Sequence, residues 1–179
     1  LDLVIATALY RLGDMQGTQT AAETVAALPN QALALRGRFL MGLAADAQHD
    51  TAGLLAASLV LDAHKDSVSV ADATELRARL ALARGEAPAA RAQAMAAVKL
   101  RTELGDDRGV ARCAALAADA ATASGAPADA AELYLRAGQG AAAIGDEAEA
   151  CLWLTKAQSM TKDETVAREA ALALANLSS

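Results

Sequence analysis

Apolar residues recur at helical spacing along the chain, interrupted by short polar or glycine-bearing breaks at Gly13-Asp14, Pro29-Asn30, Gln48-His49-Asp50, Lys65-Asp66-Ser67, Gly85-Glu86-Ala87-Pro88, Gly105-Asp106, Gly125-Ala126-Pro127, Gly145-Asp146 and Lys162-Asp163. Nine breaks leave ten segments of about 12–18 residues, many opening with Asp, Ser or Thr or with Pro in the first turn, which are helix start signals. The stretch from Ser69 to Arg84 illustrates the pattern. Ala73, Leu76, Leu80 and Ala83 fall on one side and Asp72, Glu75 and Arg79 on another, which predicts one packed face and one solvated face.

Connections of a few residues make neighbouring helices antiparallel, so ten helices pair into five hairpins, approximately 1–29, 30–66, 67–104, 105–144 and 145–179. Taking Gly13, Gln48, Gly85, Gly125 and Thr161 as equivalent turns gives steps of about 35–40 residues, the period of a repeated supersecondary unit. A hairpin of this size does not bury its own apolar face, so the expected architecture is an all-α solenoid in a single repeat domain.

Composition agrees. The chain has 179 residues, 51 of them Ala, with 2% aromatics and three prolines. Ala has the lowest helix cost, and the β-branched and aromatic residues that strands draw on are sparse. A net charge of −6 with interspersed signs offers no basic footprint for a phosphate backbone, so no direct nucleic-acid ligand is expected. The longest uncharged stretches, such as Thr51–Leu61, fall well short of the about 20 residues a spanning helix needs, and no membrane insertion is expected. The chain opens at Leu1 without an initiator Met and reads as a processed product or excised fragment; its compartment is not legible, a soluble cytoplasmic setting being favoured over a periplasmic one. Cys113 and Cys151 lie in no CxxC or Cys/His pattern and read as buried structural thiols.

Several residue sets resemble the tetratricopeptide repeat, whose pattern is W-x2-L-G-x2-Y, then A-x3-F, then P. In the first unit Ile5-Ala6 and Leu9 are similar to the large, small, large set of the first helix, Gly13-Asp14 to the turn and Pro29 to the terminal proline. Leu40-Met41 and Ala44 represent the second unit. Gly85-Glu86-Ala87-Pro88-Ala89-Ala90 with Ala94 and Ala97 represents the third, and Gly125-Ala126-Pro127-Ala128-Asp129-Ala130 with Tyr134 and Ala137 the fourth. Leu104-Gly105-Asp106-Asp107 recurs about 40 residues on as Ile144-Gly145-Asp146-Glu147, resembling the longer variant of signalling scaffolds and ligand-sensing bacterial regulators. The resemblance implies a right-handed solenoid with a concave wall of first helices that holds an extended peptide or a partner helix.

On that register the groove residues are Thr7, Arg11, Arg38, Arg79, Arg112 and Asp119. Arginines there are suited to grip a partner's carboxylates through bidentate hydrogen bonds; the competing reading pairs them with nearby Asp46, Asp72, Glu75 and Asp119. With only Asn30 and Asn176 as asparagines, the Lys/Asn clamp of the chaperone-binding subgroup is not expected. Phe39, Tyr134 and Trp153 read as filler between helices. Trp153, in Cys151-Leu152-Trp153-Leu154, also suggests a terminal contact to a cap, another domain or a second copy, and so self-association through terminal hairpins. In the last helix, Glu164–Leu177, apolar Val166, Ala170, Leu172, Leu174 and Leu177 accompany charged Arg168 and Glu169, which suits either a cap or a docking helix.

Catalytic signals are sparse. His49 and His64 read as turn and capping residues, and HExxH, G-x-S-x-G, P-loop, GxGxxG and EF-hand patterns are missing. The Asp106-Asp107 and Asp146-Glu147 pairs sit at helix starts, where negative charge complements the helix dipole. The expectation is a non-enzymatic scaffold, without cofactor or metal, that binds a partner protein or peptide in its groove. The alternative is a ligand- or peptide-responsive sensor domain of a larger bacterial signalling protein; the preference for Ala, Arg and Asp over Lys resembles GC-rich bacteria.

Overall fold

A computed structural model describes residues 1–177. The described residues form ten α-helices and no strand: α1 (Asp2–Arg11), α2 (Met15–Ala26), α3 (Gln31–Ala47), α4 (Thr51–Asp62), α5 (Ser67–Ala83), α6 (Ala87–Glu103), α7 (Asp107–Ala123), α8 (Pro127–Ala143), α9 (Glu147–Met160) and α10 (Glu164–Leu177). They are divided between two compact units, Leu1–Arg84 and Gly85–Ser179, so the boundary falls at the turn inside the expected third hairpin.

The turns explain the order. At the end of α1 the Gly13 N–H bonds to Tyr10 O and the Asp14 N–H to Leu9 O, the two bonds of a Schellman motif, with Gly13 left-handed at φ 79. Asp14 then caps α2 by accepting from Gly17 N at 2.8 Å. One aspartate thus closes one helix with its backbone and opens the next with its side chain. Asp50 does the same between α3 and α4, and Asp106 between α6 and α7.

Left-handed backbone occurs at Gly13, His49, Gly85, Gly105, Gly125 and Gly145. The second turn is therefore centred on His49 and not on Gln48, which is the α3 C-cap in near-helical backbone. Thr161, expected as the fifth equivalent turn, is extended at φ −92, ψ 146. From Gly85 onward the four glycines are spaced by 20 residues, and α5 to α8 each have 17, so each helix of this stretch, with its turn, is half of a 40-residue period.

In unit 1, consecutive helices α1 to α5 pack in a hairpin-like series, with further contacts of α1 on α3 and α3 on α5. Its core gathers Ala6, Ala22, Phe39, Leu43, Leu54, Leu61 and Leu76, and Phe39 is the buried filler that the sequence suggested. A Cβ on Gly37 would stand 2.6 Å from Ala26 N and 2.8 Å from Ala22 O, so α2 and α3 meet backbone to backbone. In unit 2, α6 to α10 pack consecutively, with α10 also on α8. Its interior is largely alanine, with Ala117, Ala118, Ala121, Ala130, Ala137 and Ala141 all buried, which lets helix axes approach closely.

Three expectations about faces are corrected. Asp72 and Glu75 are 1% and 0% exposed, whereas the pattern placed them on a wet face; they are buried because Arg36 of α3 and Arg79 bring guanidinium groups to them. Ala83, assigned to the packed side, is exposed. Cys113 is buried but Cys151 is exposed, since α9 turns Ala150, Leu154 and Ala157 inward instead. Among the described residues no helix is long and apolar enough to cross a membrane.

Candidate functional site

Unit 1 carries two grooves on different sides of α3. The larger, about 530 Å³, lies between α3 and α5 and is lined by Gln31, Ala32, Leu35, Arg36, Asp66, Val68, Ser69 and Asp72. These helices open the second and third hairpins of the sequence reading. The arginine that lines this groove is Arg36. Arg36 Nη1 donates to both Asp72 oxygens, at 3.1 and 2.9 Å, while its guanidinium carbon lies 5.2 Å from the Phe39 ring centre. The pair ties α3 to α5 and gives the groove a fixed polar floor.

At one end of this groove Asp66 caps α5, accepting from Ser69 N at 2.9 Å. Hydrogen bonds from Ser69, its side chain first and its backbone N–H second, hold the Asp66 carboxyl below the usual aspartate value. Gln31 Nε2 and His64 Nδ1 are 3.1 Å apart, which joins the start of α3 to the end of α4. His64 is thus a bridging residue near a helix end, and Leu35, Ala32 and Val68 supply the apolar lining.

The smaller groove, about 270 Å³, is lined by residues of α2, α3, α4 and the α3–α4 turn: Gln19, Arg38, Met41, Ala45, Gln48, Asp50, Gly53, Ala56, Ala57 and Val60. Arg38 Nη1 lies 3.7 Å from Met41 Sδ, and no carboxylate pairs with it among the described residues. Its neighbours in unit 1 differ: Arg77 pairs with Asp62 at 2.5 Å, and Arg79 with Asp46 at 2.8 Å and Glu75 at 3.2 Å.

The other sequence-selected residues are dispersed. Thr7 is exposed on α1, its hydroxyl donating to Leu3 O at 2.8 Å. Arg11 is exposed in the last turn of α1. Arg79, with a side chain only 13% exposed, bridges α3 and α5 as the salt-bridge reading had it. Arg112 is half-buried on α7 of unit 2.

Asp119, also in unit 2, accepts from the Tyr134 hydroxyl, and Lys156 Nζ reaches Asp119 at 3.4 Å, Tyr134 Oη at 3.3 Å and the Tyr134 ring centre at 4.8 Å. Burial, and then the adjacent Asp119 carboxylate, push the Tyr134 phenol well above its ordinary value. Trp153 is 7% exposed, while Leu152 and Leu172 are 54% and 63% exposed; the apolar surface of the last two helices is theirs and not the indole's. No group of three or more His, Cys, Asp or Glu suited to a metal ion occurs among the described residues.

Sequence reasoning missed Arg36, Val68 and the Arg36–Asp72 floor. A signal was present: Arg36 and Asp72 are 36 residues apart, the spacing of the turns at Gly13, His49 and Gly85, so each occupies the matching position of successive first helices. Compared with protein-family models, curated proteins and solved structures, the chain finds no match.

Proposed function

We propose that the chain is a non-enzymatic interaction scaffold of tetratricopeptide-type hairpins, in which the α3–α5 groove seats an extended segment of a partner protein. The observation that carries this is the groove itself: an apolar strip of Ala32, Leu35 and Val68, flanked by Gln31 and Ser69, over the Arg36–Asp72 pair. Apolar pockets with a few fixed polar groups are what a bound segment needs for affinity and register. Val68 is 41% exposed, so a partner side chain has apolar surface to cover. The polar lining groups serve structural bonds, Asp66 as a cap and Asp72 in an ion pair, which supports binding and not turnover. The contacts of α1 on α3 and α3 on α5 support the repeat assignment, because first helices of successive repeats pack on one another.

The groove's volume favours one further reading. At about 530 Å³ it lies within the roughly 300–1,000 Å³ of small-molecule sites, so a small ligand in a sensor domain would fit the same space.

The test is affinity capture from native lysate with the wild-type chain beside Val68→Glu, after circular dichroism shows both equally helical. A partner retained by the wild type and lost by Val68→Glu is expected. Equal retention by both chains overturns the groove assignment, and a thermal shift with metabolites but no protein partner transfers support to the sensor reading.

A further inference from the structure

We infer that the smaller groove, bounded by α2, α3 and α4, is a second docking site, which takes an acidic segment of a partner protein with one carboxylate seated on Arg38. The first argument is charge. Arg36, Arg77 and Arg79 are each matched to a carboxylate of unit 1, whereas Arg38 lines a cavity with the Met41 thioether beside it. A half-buried guanidinium in a recess of mixed polar and apolar lining gains most from a carboxylate, which accepts two parallel N–H bonds.

Asp50, the acidic residue of the same lining, does not fill that role. Its Oδ1 accepts from Ala52 N at 3.1 Å and Gly53 N at 3.0 Å, and its charge is offset by the N-terminus of α4. The second argument is shape. A cavity of about 270 Å³ is below the roughly 300 Å³ at which whole small-molecule sites begin, and it suits one or two side chains. Third, the α4 wall of the groove offers accessible apolar surface: Val60 is 40% exposed, and Ala56 is exposed beside it. The occupant is therefore a segment in which Asp or Glu adjoins a small apolar residue, the acid on Arg38 and the apolar group against Met41 and Val60. This site is separate from the α3–α5 groove and stands or falls without it.

The experiment selects displayed random octapeptides on the intact wild-type chain and counter-selects on Arg38→Gln. A synthetic copy of the most enriched peptide is then titrated while the methionine methyl resonances are followed by NMR. The expected result is enrichment of Asp or Glu beside Ala or Val, and a shift of the Met41 methyl with those of Met95 and Met160 unmoved. Affinity should fall at least about tenfold in Arg38→Gln, equivalent to about 1.4 kcal/mol, and less in Arg38→Lys. Ala56→Trp, which fills the groove and leaves Arg38 in place, loses the peptide as well, and Val68→Glu keeps it. Selection without acidic enrichment, an unmoved Met41 methyl, unchanged affinity in Arg38→Gln, or loss in Val68→Glu each overturns the proposal.

Discussion

Arg36 and Arg38 stand two residues apart on α3 and serve different grooves, Arg36 bonded to Asp72 across to α5 and Arg38 lying by Met41 in the recess against α2 and α4. Two residues on an α-helix are separated by about 200°, so both cannot belong to one wall. The relationship gives unit 1 one groove with a closed ion pair and another whose arginine lies by a thioether.

Asp72→Ala leaves Arg36 half-buried without its carboxylate. Chemical denaturation is expected to show a loss of about 2–3 kcal/mol, below the full cost of an entirely buried pair because the Arg36 side chain is 39% exposed. Asp72→Asn, which keeps a hydrogen-bond acceptor, should lose less.

His49 holds a left-handed backbone at φ 59 where the other such turns use glycine. His49→Gly is expected to stabilise the chain by about 0.5–1 kcal/mol, since removing the Cβ penalty outweighs the added freedom of the unfolded chain. Gly85→Ala works in reverse. Nothing lies within 4 Å of its would-be Cβ, so the expected loss of about 1–2 kcal/mol is purely conformational. Melting temperatures of the two variants, moving in opposite directions, check this.

Gly37→Ala would ordinarily gain about 1 kcal/mol of helix propensity. Here the added methyl meets the α2 backbone at 2.6 and 2.8 Å, and a net loss of about 2 kcal/mol is expected as α2 and α3 are forced apart. Equilibrium unfolding in urea measures it.

Tyr134 has a raised folded-state pKa against an unfolded value of 10.0. The folded chain thus binds this proton more tightly. Its contribution is complete below pH 10.0 and is lost as pH rises toward the higher folded-state value. Wild type should lose stability through this alkaline range more steeply than Tyr134→Phe, with tyrosinate absorbance appearing as unfolding proceeds.

Much of the fold was legible because turns are governed locally. Gly13-Asp14 and Gly105-Asp106 announce a left-handed residue followed by a cap, and the recurring glycine at Gly17, Gly53 and Gly109, three residues after each capping Asp, repeats the sign. The second turn was read one residue early, at Gln48, because a non-glycine residue such as His49 seldom adopts the left-handed conformation. The burial of Asp72 and Glu75 was not legible: Asp72 reads as solvated until Arg36, 36 residues away in sequence, is brought to it, and Glu75 is held by Arg79 of its own helix, which is itself tied to Asp46 of α3. Helix phase was weakly marked as well. In an Ala-rich helix, inward and outward faces differ too little in hydrophobicity to fix it, and the structure places Arg36 in the α3–α5 groove and Arg38 in the one against α2 and α4.

The most direct test of the central claim places a photo-crosslinking amino acid at Val68 in the α3–α5 groove and, as a control, at exposed Glu132 on α8, with adducts formed in native lysate and mapped by mass spectrometry. The account predicts one partner segment attached at Val68, absent from Glu132 and suppressed by Leu35→Glu in a chain that remains helical. Adducts that are the same at both positions, or no adduct at Val68, would contradict it.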